Sequence, residues 1–445
     1  MAPRTRSQTN LEDSPEELKQ FSRGRESSDD RRTSPPPISS NTNDDPPAAV
    51  WRTQMFSILS CSFLISSFAL LMPFYQSRRD ALDCDVQCYG RYTSLRSALS
   101  LLGSVLCGRA SDVLGRRSIL LVGVSASLIG LFLSAQVTTI SGLYWAMVPG
   151  ALFQNNFSVT KALYSDVCNE HDLGNTSRAS MVGKLGMSVG LSFMVGPLVS
   201  SYITDFNTSL YIATFLVVLS GISVLFIPSP PPAASRTEPK PFLSSSVLKS
   251  LRSPPALTLM VIRILMGLAF HVFMTIWTPS LKRRFDFGPK DHGRFMSFIG
   301  LSYAASQGFI AKRVVSFSRG DSTTVLVVCS LFLGCGRLVA YRASSLYTVY
   351  ATFFFIISSL GTSNTVLTEA ATRVSDEDAG GVFGALTAVE AAAGMFGPVL
   401  GGYLAGLGEE VPIGFVVLIY LLCAFWVKAR FESHFGRLAP KKKEE

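Results

Sequence analysis

From residue 51 onward, the chain alternates between long apolar runs and short polar connections. Most of the runs are about 18–24 residues long, enough for a helix to cross the hydrocarbon core of a bilayer, which is about 30 Å thick. The predicted spans are 51–75, 90–107, 118–137, 142–164, 179–202, 209–227, 256–278, 294–311, 322–341, 346–367, 380–404 and 411–428. This pattern predicts an all-α integral membrane protein with twelve transmembrane helices.

A proline-rich segment separates the predicted spans into two groups of six. Residues 228–255 contain eight prolines, and proline interrupts a helix because it has no N–H and its ring clashes with the preceding turn. We therefore expect a cytoplasmic linker there, between an N-terminal six-helix bundle at 51–227 and a C-terminal six-helix bundle at 256–428. Residues 1–50 are rich in Ser, Pro and charged side chains, which predicts a disordered cytoplasmic tail. Residues 429–445 predict a basic cytoplasmic tail.

Landmarks recur in the two groups at a nearly constant offset. A Gly-Arg-aromatic triplet opens the second and eighth spans, an acid closes the fourth and tenth, and a Gly-Pro pair lies in the fifth and eleventh. Their first residues are Gly90 and Gly293, Asp166 and Glu369, and Gly196 and Gly397, at offsets of 203, 203 and 201 residues. The recurrence predicts two six-helix pseudo-repeats.

Composition and charge agree with a membrane protein. Hydrophobic residues make up 48% of the chain and charged residues 16%, against about 25% charged residues in soluble proteins. The net charge of +9 lies largely in the termini and short connections, which favours anionic lipid over nucleic acid as a partner. If both termini are cytoplasmic, inner connections hold twelve Lys and Arg, and outer connections and span ends hold nine. The positive-inside rule therefore places both termini in the cytoplasm, and a plasma membrane or an organelle membrane fits equally.

The connection between the second and third spans, residues 108–117, reads Gly-Arg-Ala-Ser-Asp-Val-Leu-Gly-Arg-Arg. Glycine permits close helix approach and tight turns, an acid can face the positive end of a helix, and basic residues stay in cytoplasmic water. One interpretation is an ordinary basic connection, and the other is a conformational gate. The gate residues would be Gly108, Arg109, Asp112, Gly115, Arg116 and Arg117. The segment resembles the signature between the second and third helices of major facilitator superfamily transporters.

Small residues and prolines mark the fifth and eleventh spans. Small side chains let helix backbones pack closely, and proline fixes a bend. The candidate hinge and packing residues are Gly196, Pro197, Gly397, Pro398, Gly401 and Gly402. The eleventh-span segment resembles the antiporter signature of drug:proton exchangers, which in those proteins lies in the fifth span. Here Ser200 and Ser201 replace the closing glycines of the fifth span, and generic helix packing explains the same residues.

Over most of residues 51–430, the chain resembles the organic-cation-transporter-like solute carriers, a branch close to the tetracycline and multidrug exporters. The resemblance rests on Gly-Lys-Leu-Gly at 183–186, Arg263, Arg-Phe-Met-Ser-Phe at 294–298 and Gly-Pro-Val-Leu-Gly-Gly at 397–402. It implies the major facilitator fold, working as a monomer. It also implies alternating-access transport of a small organic solute, such as an organic cation or drug, with protons as the candidate exchanged ion. Many such exporters carry Arg before the Pro-Gly pair of the fourth span, where this chain has Met147.

Polar side chains inside the predicted spans are the candidates for solute binding and coupling. A charge at the bilayer centre costs about 2.5–3.5 kcal/mol on insertion scales, so it needs a partner or a water-filled cavity. The candidates are Glu390, Arg263, Lys184, His271, Gln154, Asn155 and Asn364. We expect Glu390 to carry the proton, with Lys184 and Arg263 as counter-charges, and a structural ion pair is the alternative. The cations Arg96, Lys161 and Arg337 are expected to reach the membrane surface from span ends.

Motifs of other protein classes are missing from the sequence. It has neither a Gly-x-x-x-x-Gly-Lys-Ser/Thr phosphate loop nor a His-Glu-x-x-His motif, so we predict no enzyme, cofactor or metal site. Cys84 and Cys88 either form a disulfide after the first span or stay free. The basic cluster at 282–284 either pairs with Asp286 and Asp291 or attracts anionic solutes. The alternatives to an exchanger are a proton-independent facilitator of a small metabolite and a non-transporting receptor or scaffold.

Overall fold

The computed structural model describes residues 46–171, 175–228, 252–318, 321–374 and 379–435. The expected N-terminal tail up to residue 45, most of the expected linker and the end of the expected C-terminal tail lie outside the described residues. Every regular element within the described ranges is a helix.

The helices follow one another with short connections. They are α1 (Pro46–Ala81), α2 (Val86–Leu114), α3 (Arg116–Ala135), α4 (Ile140–Phe153), α5 (Asn156–Glu170), α6 (Asn175–Ser200), α7 (Phe206–Leu225), α8 (Pro254–Phe285), α9 (Pro289–Ala305), α10 (Ala311–Phe317), α11 (Ser322–Arg342), α12 (Leu346–Thr372), α13 (Ala379–Leu407), α14 (Val411–Trp426) and α15 (Glu432–Phe435). Two π-helical turns, Ser306–Ile310 and Val427–Phe431, join α9 to α10 and α14 to α15.

These helices form twelve membrane-spanning segments, six in each half. Within the described residues, nine helices are individually long and apolar enough to cross a membrane. The remaining three segments are α2, the interrupted pair α4 and α5, and α9 with its π turn and α10. The predicted all-α fold of two six-helix pseudo-repeats is confirmed.

Several predicted boundaries are wrong by a few residues. The first helix begins at Pro46, inside the expected tail, and α8 begins at Pro254, inside the expected linker. Proline is tolerated in the first turn because the N–H groups there have no partner within the helix. The last segment continues past residue 428 through a π turn to Phe435, so the C-terminal bundle is longer than expected.

The fourth span, predicted as one helix at 142–164, is broken at Gln154 and Asn155. The side-chain amide of Asn155 donates to a carbonyl oxygen in the last turn of α4 (3.1 Å). The next residue, Asn156, is buried and donates to the carbonyl oxygen of Leu120 in α3 (3.0 Å). Amide side chains compete with the helix ladder in this way, so consecutive amides end α4 and start α5.

Each half has its own core. In the C-terminal half, stacked aromatic rings fill the space between α8 and α12, with the ring centroids of Trp277 and Phe353 4.7 Å apart. In the N-terminal half, small hydroxylated residues join helices, and the hydroxyls of Ser60 in α1 and Ser220 in α7 are 2.9 Å apart. Each half is therefore a separately packed helix bundle, and a site can lie between the two bundles.

Candidate functional site

The two ends of the bundle differ in how the halves meet. Successive segments run in opposite directions, so the connection at 108–117 lies at the same end as the α7–α8 and α12–α13 connections. We call this the motif end, and we call the other, which holds the α1–α2 and α8–α9 connections, the opposite end. The halves contact each other mainly through α2 with α13 and through α6 with α9.

Helices α2 and α13 pack backbone to backbone near the opposite end. A Cβ on Gly90 would lie 2.4 Å from the carbonyl oxygen of Pro398, and one on Gly402 would lie 3.1 Å from the Cα of Gln87. The hydroxyl of Ser94 accepts a backbone N–H of α13 at 3.1 Å. Any side chain at residue 90 would force these helices apart, so glycine is required for this contact.

The equivalent contact in the other pseudo-repeat joins α9 to α6. A Cβ on Gly293 would lie 2.6 Å from the carbonyl oxygen of Pro197, and a serine hydroxyl of α9 donates to a carbonyl oxygen of α6 at 3.0 Å. The landmarks that recur along the sequence therefore meet in space. Gly90 contacts Pro398, and Gly293 contacts Pro197.

The remaining predicted hinge residues pack within their own halves. A Cβ on Gly196 would lie 2.8 Å from the Cβ of Ala69 in α1, and one on Gly397 would lie 2.6 Å from the Cβ of His271 in α8. One turn further along, Gly401 also packs closely against α8. Each Gly-Pro pair therefore contacts its own half through glycine and the other half through proline.

At the motif end, the same helices are not packed in this way. A Cβ on Gly108 of α2 or on Gly183, Gly186 or Gly190 of α6 would meet no described atom within 4 Å. The α6 glycines are spaced by three and four residues, so they share the helix face that contacts α9 further along. The halves are therefore in contact at the opposite end, and a cleft between them opens toward the motif end.

The basic cluster at 282–284 lies at the opposite end. Its side chains form ion pairs and hydrogen bonds, but not with the expected acids. The partners are Asp80 for Lys282 (2.8 Å), Glu409 for Arg283 (2.5 Å) and the carbonyl oxygens of Ala340 and Ala343 for Arg284. The expected partners were wrong because Asp286 caps the end of α8 in a left-handed conformation and Asp291 accepts the backbone N–H of Gly288, the residue before α9. The Lys282 pair joins the two halves.

At the opposite end, Cys84 of the α1–α2 connection forms a disulfide with Cys88 in the first turn of α2, with their Cα atoms 5.3 Å apart. The adjacent residue, Gln87, packs against α13, and its side-chain nitrogen would lie 2.8 Å from a Cβ on Gly406. The disulfide therefore lies next to a contact between the halves.

The chain turns through a single residue within the motif. Gly115 joins α2 to α3 with φ of +88°, a region that favours glycine because a Cβ would be strained there. Gly108 lies on the open face of α2, and the Arg109 side chain is exposed. The turn sets the position of the next two arginines, which are the first residues of α3.

Arg116 is the centre of the ion pairs in the motif. Its Nη1 lies 2.6 Å from Asp112, and its Nε donates to Asp166 at the end of α5 (2.8 Å). Its side chain is only 13% exposed, so these pairs are partly shielded from water. Arg117 donates to a carbonyl oxygen at the end of α7 (2.6 Å). In this conformation the motif is bound to its own half.

Polar groups inside the membrane segments of the C-terminal half form one continuous network. Arg263 of α8 donates to Glu390 of α13 (2.8 Å) and to Asn364 of α12 (2.9 Å). Asn364 donates to the hydroxyl of Tyr303 in α9 (3.3 Å). Gln307, in the π turn, donates to the same hydroxyl (2.9 Å) and accepts a hydrogen bond from a threonine of α12 (3.0 Å). Four membrane segments meet at this network.

The network lies near the middle of the membrane and is open to the cleft. Arg263 and Glu390 are about 14–17 Å along their helices from the motif end, at 1.5 Å per residue. The Glu390 side chain is 48% exposed and that of Arg263 is 15% exposed, so the carboxylate is not buried as its depth predicted. Within the described residues, Nε of Arg263 has no hydrogen-bond partner. The arrangement holds a carboxylate at the cleft surface with a guanidinium behind it.

The other predicted site residues lie elsewhere. Lys184 is exposed on α6 in the other half, and among the described residues it pairs with no acid, so it is not the expected counter-charge of Glu390. His271 packs against glycines of α13. Asn155 bonds the backbone at the α4–α5 break, and Gln154 lines a cavity inside the N-terminal half. Of the expected polar cluster, the structure brings together Arg263, Glu390 and Asn364.

Two cations that were expected at the membrane surface lie inside the protein. Arg337 is 2% exposed, with its guanidinium over the rings of Phe273 (5.3 Å) and Tyr420 (4.9 Å). These cation–π contacts stabilise the charge where the sequence predicted exposure. Arg96 lines the same cavity as Gln154.

Sequence reasoning missed Tyr303, Gln307 and the threonine at residue 365. The available sequence signal was weak. Tyr303 and Gln307 are four positions apart and therefore share a helix face, and Thr365 follows Asn364 directly. The π turn that places Gln307 is of a kind frequent at functional sites, and nothing in the local sequence marks it.

Comparisons with known proteins agree with this architecture. A family model described as Major Facilitator Superfamily matches residues 55–393. The chain is similar to the tetracycline resistance protein, class D, of Salmonella ordonez (24% identical over 363 residues, 79% of this chain and 89% of that protein). It is also similar to major facilitator superfamily domain-containing protein 10 of Mus musculus (24% identical over 318 residues, 62% of this chain and 67% of that protein). The crystal structure of the human organic anion transporter MFSD10 (TETRAN) has a similar fold, with a TM-score of 0.63, 19% identity, and coverage of 85% of this chain and 99% of that one. The chain belongs to the major facilitator superfamily of membrane transporters.

Proposed function

We propose that this transporter moves a small organic solute by alternating access, in exchange for protons. The contrast between its two ends supports the proposal, because the halves are packed at the opposite end and apart at the motif end. In the alternative conformation, the motif end closes and the opposite end opens. A solute held between the halves near mid-membrane then reaches one side of the membrane at a time.

The motif at 108–117 is the closing surface of the motif end in this proposal. Gly108 of α2 and the open glycines of α6 accept the approaching C-terminal half, since a Cβ on any of them would meet no atom of the described residues within 4 Å. Asp112 exchanges its pair with Arg116 for a contact at the start of α13. The motif then stabilises the closed state at this end and frees the opposite end to open.

The motif end faces the cytoplasm in this proposal. The Lys and Arg distribution supports it, and the disulfide between Cys84 and Cys88 at the opposite end is a second, independent observation. Disulfides persist in oxidising compartments and are rare in the cytosol.

Proton coupling is assigned to Glu390 and Arg263. When Glu390 gains a proton, it loses the charge that Arg263 contacts at 2.8 Å, and the amide oxygen of Asn364 remains as the partner of the guanidinium. A solute group that competes for either member of the pair therefore alters proton binding, and linkage makes the effect reciprocal. Tyr303 and the π turn connect the change to α9, which contacts the other half.

The test uses the full-length chain in proteoliposomes with a pH-sensitive dye inside and a panel of organic cations and anions outside. We expect a solute-triggered pH change in the wild type that is lost in Glu390→Gln. Glu409→Gln is the matched control, because Glu409 is exposed at the opposite end and 71% of its side chain is accessible. A pH change that persists in Glu390→Gln would overturn the assignment of the proton to this residue.

A proton-independent facilitator is the second candidate, and Met147 is the observation that favours it. In that case the wild type and Glu390→Gln both show flux of labelled solute without a pH change, and the Arg263–Glu390 pair is structural. A receptor or scaffold is the candidate from another class. Deletion of residues 1–45 separates it from a transporter, because the deletion leaves flux intact in a transporter and abolishes signalling in a scaffold.

A further inference from the structure

A small cavity lies inside the N-terminal half, apart from the Glu390 network. Helices α1 to α4 form most of its wall, and its volume is about 80 Å³. Sites for small organic molecules are commonly about 300–1,000 Å³, whereas a space of about 10–15 Å³ already holds one water molecule. The cavity therefore has room for one inorganic ion with a few water molecules, and it is too small for an organic solute.

Arg96 of α2 is the only charged residue among the described residues that line this cavity. It lies ten residues after Val86, the first residue of α2, which is about 15 Å along the helix at 1.5 Å per residue. Its guanidinium lies over the ring of Phe68, 4.8 Å from the centroid. Within the described residues, Arg96 makes no hydrogen bond and no ion pair, although a charge at this depth is costly without a partner.

The other deep arginines differ from Arg96 in this respect. Arg263 is paired with a carboxylate, and Arg116 is paired with two. Arg337 lies between two aromatic rings and donates to the carbonyl oxygen of Leu333. Stacking on a single ring uses the face of a guanidinium and leaves its N–H groups, which lie in the plane, available for an anion. Arg96 therefore keeps N–H donors that no described residue accepts, beside a cavity that it lines.

Hydroxyl groups on the wall add neutral donors to this charge. Ser67 of α1 and Tyr92 of α2 line the cavity, and neither hydroxyl makes a hydrogen bond within the described residues. The hydroxyls of Tyr75 and Ser134 lie 3.4 Å apart, so one proton joins the two oxygens and the second proton of this pair stays available. The described lining contains no carboxylate. The wall therefore offers N–H and O–H donors to an anion and no counter-charge to a cation.

The size and depth of the cavity select the kind of anion. The attraction between opposite charges strengthens away from water, so a single negative charge beside Arg96 compensates the guanidinium most effectively here. Sulfate and phosphate carry a second charge, for which the described lining has no second cation. Chloride carries one charge, is only a little larger than a water molecule, and accepts N–H and O–H hydrogen bonds from any direction.

We infer that this cavity is a chloride site, in which the ion is a resident part of the N-terminal half and not a transported solute. Chloride neutralises Arg96 and accepts hydrogen bonds from the guanidinium and from the hydroxyl of Tyr92. Ser67 and the Tyr75–Ser134 pair supply further donors, so the ion links α1, α2 and α3 and stabilises their packing. The inference goes beyond the proposed function, because the site does not depend on which solute the protein moves.

The test follows thermal unfolding of the purified full-length chain in detergent while sodium chloride replaces sodium gluconate at constant ionic strength. A ligand that binds only the folded protein raises the unfolding temperature as its concentration increases. We expect chloride and bromide to raise the unfolding temperature of the wild type, and sulfate to leave it at the value in gluconate. The apparent affinity for chloride should fall at least tenfold in Arg96→Gln. Arg91→Gln is the matched control, because Arg91 lies on the same helix and is exposed, and it should respond to chloride as the wild type does.

A second variant keeps the test valid if Arg96→Gln does not fold. Tyr92→Phe removes one hydroxyl donor and retains both the ring and the charge of Arg96, so its affinity for chloride should also be lower than that of the wild type. Broadening of the chloride NMR resonance by the protein measures binding in each variant without reference to stability. The broadening should be lost in Arg96→Gln, reduced in Tyr92→Phe and unchanged in Arg91→Gln.

Three results would overturn the inference. The first is a wild type with the same unfolding temperature in chloride and in gluconate, because water alone then solvates Arg96. The second is wild-type affinity for chloride in Arg96→Gln, or in Tyr92→Phe where Arg96→Gln does not fold. The third is an equal loss of affinity in Arg91→Gln, because the ion would then bind elsewhere. None of these measurements uses solute flux, so they stand apart from the test of the proposed function.

Discussion

Replacing Gly90 by Ala should open the end of the transporter that is closed in this structure. The new methyl group would lie 2.4 Å from the carbonyl oxygen of Pro398, which is 1.0 Å inside the 3.4 Å at which ordinary contact begins. The obstructing atom belongs to a backbone, so no side chain can rotate away. Helices α2 and α13 must therefore separate at the opposite end.

The size of the effect follows from the cost of overpacking. Inserting a methyl group into a close-packed contact costs about 1–3 kcal/mol. Because 1.4 kcal/mol is a tenfold change in an equilibrium constant, the ratio of the state closed at the opposite end to the state open there should fall by about 5- to 150-fold. Gly293→Ala, with its methyl 2.6 Å from a carbonyl oxygen of α6, should act in the same direction through the other pseudo-repeat.

Distances between spin labels measure the shift. One label pair at Leu114 and Phe317 spans the halves at the motif end, and a second at Tyr202 and Tyr347 spans them at the opposite end. All four side chains are more than 60% exposed. Cys335, the one exposed free cysteine among the described residues, is first replaced by serine. In Gly90→Ala the motif-end distance should shorten and the opposite-end distance should lengthen.

The control is Gly414→Ala in α14, because a Cβ at Gly414 would meet nothing within 4 Å in the described part of the chain. It makes the same exchange in a helix and should leave both distances at their wild-type values. Distances in Gly90→Ala that equal those of the wild type would refute the reasoning, because the contact would then not hold the opposite end closed.

Three further predictions concern other contacts in the structure. Arg116→Gln should destabilise the protein by about 1–3 kcal/mol, because it removes two partly shielded ion pairs. Thermal unfolding in detergent measures this loss of stability. The exposed control Arg109→Gln should not show it. Arg337→Met should change the free energy of unfolding little in the same assay, because an apolar side chain of similar length avoids the desolvation of a buried cation. A decrease in the free energy of unfolding of more than about 3 kcal/mol would contradict this prediction. Cys84→Ser should free Cys88 for reaction with a membrane-impermeant maleimide added outside intact cells or to the lumenal face, and labelling only from the cytoplasmic face would contradict the orientation.

Much of the fold could be predicted because the bilayer imposes a length on every apolar run. The twelve segments and the two halves follow from that length and from the proline-rich segment at 228–255. The repeat landmarks predicted an internal symmetry and no contact between them, and the structure adds that Gly90 and Gly293 contact the prolines of the other repeat. The break at Gln154 was not predicted, because hydropathy does not register a side chain that bonds the neighbouring helix.

The site could be predicted only in part, because its contacts join helices far apart in sequence. Depth alone singled out Glu390 and Arg263, and the pair is present. Depth could not show that Lys184 lies across the cleft, that aromatic rings enclose Arg337, or that a π turn places Gln307 beside Tyr303. These outcomes depend on the packing of three or four segments, which a single span does not encode.

The proposed mechanism requires the opposite end to open during transport. A chemical cross-link that holds this end closed tests the requirement most directly. Asp80 and Lys282 contact each other across the two halves at 2.8 Å, so the double variant Asp80→Cys, Lys282→Cys can be joined by a short bifunctional thiol reagent. The measurement is counterflow of the solute identified by the proteoliposome panel, before and after cross-linking, with each single variant treated identically. We predict that cross-linking abolishes counterflow in the double variant and leaves the single variants active. Undiminished counterflow in the fully cross-linked protein would contradict alternating access through this end.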